Sequence, residues 1–320
     1  MSEDEGMDEL ISEEMLWDRI PEVEGEERAS TFYELSARIF ARGQYDEALA
    51  LAETARDIYS QLGVTSASEG LAQAYSAIGY NLNQLKRIDE AATAMSKAVE
   101  ILRENKSPIA LELACTLGEW WYTSKQYEKV VLTMNECAQE HLVDSNEIGA
   151  ANDLHLIGCA ERELKNYEKA IEAFKEARAL FKRNKEIIHV ARCDQKIASC
   201  LIELGEGELA LETAQKAVDV FETGHDHRRE VFALFEYGKA QILLEKFDDG
   251  LATLENVLAI VSEDEPKDFE FILDIETRIS KIMRMQGRND EANEIERRLK
   301  SVKEALEESP EESFGPDPKS

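Results

Sequence analysis

Glycine and proline are scarce in this chain, 16 and 6 among 320 residues. So little turn chemistry argues against hairpins and irregular loops and favours helices joined by short turns. No apolar run approaches the roughly 20 residues that cross a bilayer. The start, "MSEDEGMDEL", lacks the basic residues and apolar stretch of a signal peptide. The five cysteines are odd in number and fall inside helical patterns, so reduced core thiols in a cytoplasmic protein are expected. Basic residues are few: 37 against 67 acidic ones, a net charge of -30. Such a surface repels nucleic acid and anionic lipid, so neither is an expected partner. H-E-x-x-H, G-x-x-x-x-G-K-[ST] and G-x-S-x-G are all missing, and with them any sign of an enzyme or a cofactor.

What is present is a phrase that returns. "NYEKAIEAFKEA" from Asn166 places Tyr167, Ala170, Phe174 and Ala177 on one helical face. Six other segments share its frame, and their second residues are Tyr45, Ile88, Tyr127, Gly207, Phe247 and Asn289. Taken in order with Tyr167, the steps are 43, 39, 40, 40, 40 and 42 residues, the signature of a stacked repeat. A second helical segment precedes each phrase, as in "GLAQAYSAIGYNLNQL" from Gly70. The unit is helix A, a tight turn, helix B, and neighbouring units must stack to bury their apolar stripes.

These residues resemble the tetratricopeptide repeat. Ile78-Gly79, Leu117-Gly118, Ile157-Gly158 and Tyr237-Gly238 match the helix A pattern, and Ala170-x3-Phe174 and Ala91-x3-Met95 match helix B. The long period is similar to that of kinesin light chains, G-protein-linked spindle adaptors and bacterial Rap-type receptors. The resemblance covers about residues 29 to 308. It implies an all-α, right-handed superhelical solenoid of about seven hairpins in one continuous array. Gly118 is expected where helices A and B approach, opposite Val130 and Met134. Gly207 and Asn289 depart from the pattern at the turn aromatic, and Asp194 and Glu276 occupy usually apolar positions.

The ends read differently. Residues 1–27 hold twelve acids and one base, Arg19, and read as a leader that is largely disordered or forms a capping helix. Residues 28–308 form the array, and 309–320, with three prolines, a disordered tail. Within the leader, "DELISEEMLWDRI" is amphipathic, and Trp17 is its candidate docking side chain. Two readings stand: residues 8–20 cap the first repeat, or they occupy a groove.

Other clusters are weak. His225, Asp226 and His227 read as a solvated loop, the run around Gly205 as a turn, and Cys193 and Cys200 as core. By the family's frame, helix A lines a concave groove. Its positions give Tyr33, Tyr80 and Tyr122 in the first three repeats and Asn152, His155 and Arg162 in the fourth. Arg192 and Gln195 follow in the fifth, Phe235 and Lys239 in the sixth, and Lys281 and Arg284 in the seventh. Aromatics including Phe40 gather in the first three repeats and bases in the last four. The pattern implies a groove taking apolar groups at one end and acidic groups at the other; an ordinary solvated face is the other reading. The Lys-Asn clamp that some relatives use for a C-terminal carboxylate is not reproduced. The expected function is a non-enzymatic adaptor or scaffold for a protein or peptide. The alternatives are a Rap-type regulator responsive to a signal peptide, and an assembly subunit that self-associates through its end repeats.

Overall fold

The computed structural model describes residues 12–63, 68–263 and 268–308, with side chains through residue 304. The tail 309–320 and the first part of the leader lie outside the described residues. Among those described, every regular element is helical. Contacts divide the chain into two compact units, one through Asn146 and one from Glu147.

The first unit holds α1 (Glu13–Arg19), a 3-10 turn (Ile20–Glu22), α2 (Gly25–Ala41) and α3 (Tyr45–Leu62). It continues with α4 (Ser68–Gln84), α5 (Ile88–Glu104), α6 (Ile109–Thr123) and α7 (Tyr127–Val143). The second holds α8 (Glu147–Glu163), α9 (Tyr167–Arg183), α10 (Ile187–Glu203) and α11 (Gly207–Thr223). It ends with α12 (His227–Leu243), α13 (Phe247–Glu263), α14 (Phe269–Met285) and α15 (Asn289–Glu308). Each residue that the recurring phrase marked, from Tyr45 to Asn289, opens a helix. Even the departures at Gly207 and Asn289 keep the frame.

Helix α9 shows why these segments fold as they do. Ala170, Ile171, Ala173, Phe174, Ala177, Leu180 and Phe181 form one buried stripe. Glu168 sits in the first turn and Lys182 and Arg183 in the last, each opposing the local helix dipole. The turns are nearly identical. At each turn described in full, one residue takes a left-handed conformation and the next N–H returns to a carbonyl five residues back. Arg87 bonds Leu82 at 2.9 Å, Asn166 bonds Glu161 at 2.9 Å and Arg288 bonds Met283 at 2.8 Å. Gly43, Gly205 and Gly287 fill three of these left-handed sites. Lys86, Lys106, Lys125, Ser145, Lys165, Lys185, His225 and Glu245 fill others, with φ between 54 and 63°. That is how a chain poor in glycine still turns sharply.

In the four hairpins that carry one, the motif glycine sets the helix spacing. A β-carbon on Gly158 of α8 would lie 2.6–2.9 Å from ring atoms of Phe174 on α9. At Gly118 of α6 it would meet the end of the Met134 side chain, and Val130 is fully buried one turn earlier on the same α7.

The two acids at apolar positions are paired across their hairpins. Asp194 on α10 lies 2.9 Å from Arg178 on α9, and Glu276 on α14 lies 2.5 Å from Arg298 on α15. Burial raises the Asp194 pKa, and the attraction of Arg178 only partly offsets this. A buried carboxylate that keeps its partner is tolerated; one that loses it is costly. Arg178→Ala should therefore destabilise by about 1–3 kcal/mol, less than for a sealed pair because the guanidinium is partly in water. Adding Asp194→Leu should restore wild-type stability or exceed it. Denaturant melts of the two variants check this, and equal loss in both would refute it.

Inside the leader, Ser12 caps α1 by accepting the Met15 N–H at 3.2 Å. Leu16 and Ile20 are buried against Leu35, Ile39 and Leu51. Trp17, the residue singled out for docking, points away and is 44% exposed. The apolar contact of this segment comes from Leu16, one position earlier, and from Ile20 one turn on. Helix α2 begins at Gly25, inside the stretch assigned to the leader.

Candidate functional site

The first helices of successive hairpins touch: α2 packs on α4, and α10 packs on both α8 and α12. The outward side chains of α2 and α4, and those of α8, α10 and α12, therefore lie side by side, and the candidate residues can be placed relative to them.

In the first unit most of the aromatics serve packing. Tyr33 is half-buried against the cluster of Ala29, Ala55 and Tyr59, and burial raises its hydroxyl pKa. Phe40 meets Tyr45 edge-on at 5.3 Å, and Tyr122 meets Tyr127 edge-on at 5.5 Å. Each pair joins helix A to the turn aromatic of its own hairpin. Tyr80 is 37% exposed and edge-on to Trp120 at 5.6 Å.

In the second unit several expected groove residues are committed elsewhere. Phe235 is 6% exposed and sits in the core, edge-on to Phe271 at 5.0 Å. Lys239 is 9% exposed and bonds Glu236 at 2.8 Å. Arg284 is exposed but clamps Glu296 at 2.6 Å and Asn293 at 2.8 Å on α15. Arg162 pairs with Glu163 at 2.7 Å. Asn152 and Lys281 are exposed, and Gln195 is half-buried. Phe235 and Lys239 thus correct the expected groove lining: one is core, the other a buried ion pair.

Arg192 behaves differently. It is half-buried on α10 and has neither a hydrogen bond nor an ion pair among the described residues. Lys196, one turn further along the same helix, shares both properties. The family frame passed over Lys196, which falls between its positions Gln195 and Ser199. A sequence signal did exist: neither Arg192 nor Lys196 has an acid three or four residues away.

His155 of α8 belongs to the same cluster. Its ring stands edge-on to Phe174 at 5.3 Å, with Nδ1 3.8 Å from the Cys159 sulfur. Its Nε2 is shielded from solvent and has no hydrogen-bond partner among the described residues. Burial pulls its pKa down to about 3, with Arg192, Lys196, His189 and Arg162 adding repulsion. Burial also lowers the pKa of Arg192, assisted by Arg229, and that of Lys196, assisted by Arg162. Glu236 is the acid that acts on Lys196, yet Lys239 already holds it.

The thiols nearby are inert. Burial pushes Cys193 and Cys200 up to about 12, so both stay protonated. Asp226 caps α12 by accepting the Arg229 N–H at 3.2 Å, while His225 and His227 are exposed. No helix of the described residues is long and apolar enough to cross a membrane.

No protein-family profile matches the sequence, and no curated protein matches it. Solved structures do. A signal transduction ATPase with numerous domains from Pyrococcus horikoshii, carrying a tetratricopeptide repeat sensor, aligns at 15% identity with a TM-score of 0.64. That alignment covers 92% of this chain and 45% of the other, so the chain spans less than half of that protein. The apo form of RapI aligns at 14% identity and a TM-score of 0.57, over 88% of this chain and 99% of that one. BtubC (BKLC) from P. vanneervenii gives 16% and 0.58, over 73% and 95%. At such identities the likeness is one of fold. With its period, its motif glycines and its stacked helix pairs, the chain is a helical repeat array with the tetratricopeptide fold.

Proposed function

We propose that this chain is a non-enzymatic adaptor or scaffold that binds a protein or peptide along the strip formed by α8, α10 and α12 in its second unit. The observation that carries this is the contact of α10 with α8 and α12, which lines up polar side chains from three hairpins on one surface. An extended segment can engage several hairpins of such a strip at once. Asn152, which is exposed, and the cations of α10, all in the second unit, are the contact residues proposed. An acidic segment is favoured at α10, where Arg192 and Lys196 have no ion pair among the described residues.

A photo-crosslinking amino acid at Asn152 of α8 should capture a partner from native lysate. The same probe at Glu172, exposed on the second helix α9, should not. Capture only from Glu172 would place the binding surface on the opposite helices and refute the reading. Capture of a second copy of the chain would favour the assembly-subunit alternative.

A further inference from the structure

Lysine and arginine are outnumbered nearly two to one, yet two half-buried cations stand next to each other with no ion pair of their own among the described residues. Arg192 and Lys196 are four residues apart on α10 and so share one helical face. The bases around them are satisfied: Arg162 by Glu163, Arg229 by Asp226, Lys239 by Glu236. Half-buried charges are usually paired, because desolvation without a partner is unfavourable. Two neighbouring like charges add repulsion to that cost.

His155 supplies a third feature. Its ring is neutral near pH 7, since its pKa lies at about 3. When the Cys159 thiol donates to Nδ1, the neutral ring carries its proton on Nε2. That N–H is a shielded donor with nothing to donate to. Two cations and an idle donor, contributed by two packed helices, want the same thing: oxygen atoms bearing about two negative charges.

We infer that Arg192, Lys196 and the Nε2 of His155 form a subsite for a doubly charged oxyanion on a bound peptide, either a phosphoryl group or two adjacent carboxylates. This rests on the peptide-binding role proposed above. The guanidinium offers a planar fork to two oxygens, the ammonium a mobile point charge, and the imidazole a fixed N–H. No bond is made or broken.

The test uses the full chain and three pentapeptides: Ala-Ala-phosphoSer-Ala-Ala, Ala-Glu-Glu-Ala-Ala and the uncharged Ala-Ala-Ser-Ala-Ala. Ring signals of His155 are followed by NMR during titration. At least one charged peptide should shift them saturably, and the uncharged peptide should not. A preference for phosphoserine assigns a phosphoryl ligand, and a preference for Glu-Glu assigns carboxylates. Arg192→Met with Lys196→Met should weaken that binding at least tenfold. The same double variant should melt at a higher temperature than wild type without ligand, because it removes two unpaired charges. Lys175→Met, at an exposed site on the second helix α9, should change neither property. Absence of any saturable shift, undiminished binding by the double variant, or a lowered melting temperature in it would each overturn the subsite. If capture at Asn152 persists while the charged peptides fail, the subsite falls and the protein-binding role survives.

Discussion

Gly158→Leu should destabilise the second unit by at least the upper part of the range of about 1–3 kcal/mol seen for overpacked cores. The new side chain would begin 2.6 Å from a ring carbon of Phe174, which is fully buried. A phenyl ring cannot fold out of the way, so α8 and α9 must separate. His155 stands edge-on to the same ring and would be displaced with it. The equivalent change at Gly118 tests the reason. There the obstacle is the flexible end of Met134, so Gly118→Ala should cost less than Gly158→Ala. Thermal melts of the four variants decide the matter. An unchanged melting temperature in Gly158→Leu, or a reversed order of the two alanine variants, would show that the glycines do not set helix spacing.

Acid should weaken the protein through His155, by up to roughly 5 kcal/mol at the limit set by its pKa shift. In the unfolded chain the ring takes a proton near pH 6.5; in the folded chain it does so only near about 3. Between those values the unfolded state binds more protons, so this part of the stability is complete above pH 6.5 and drains away towards pH 3. The groups that hold the ring neutral are Arg162 on its own helix and His189, Arg192 and Lys196 on α10, after burial itself. Carboxylates also titrate in this range, so the comparison is with His155→Gln, which takes up no proton. Urea denaturation in chloride buffers between pH 7 and 4 should show a shallower decline for the variant. Parallel curves would mean that the ring is not buried neutral in the folded protein.

Much of the fold was legible because it repeats. A period near 40 residues, read from seven turn positions, located the start of every second helix. The departures at Asp194 and Glu276 were legible as departures, but their partners were not. Arg178 and Arg298 lie 16 and 22 residues away, on the other helix of the hairpin, and no local spacing reports that. The proposed strip suffered from the same limit. Lys239 has Glu236 three residues before it, so its pairing could have been read from the helix alone. Arg284 is taken by Glu296 on the next helix, which only packing reveals. Phe235 was placed on the strip by its position in the frame, yet Phe271 of α14 closes over it. The frame is periodic, whereas side-chain pairing depends on which neighbour happens to be long enough to reach.

The left-handed turn residues leave this chain with thermal headroom. A side chain held in that conformation costs about 1–2 kcal/mol, and glycine there would give back part of the gain, about 0.5–1 kcal/mol, as extra freedom of the unfolded chain. Replacing any one of the eight with glycine would therefore leave a surplus of a few tenths to about 1 kcal/mol. Added over separated turns, that approaches the several kcal/mol by which an ordinary domain stays folded at all. The same fold could thus be retuned for a hotter setting at its turn tips, without touching the core or the strip proposed to meet a partner.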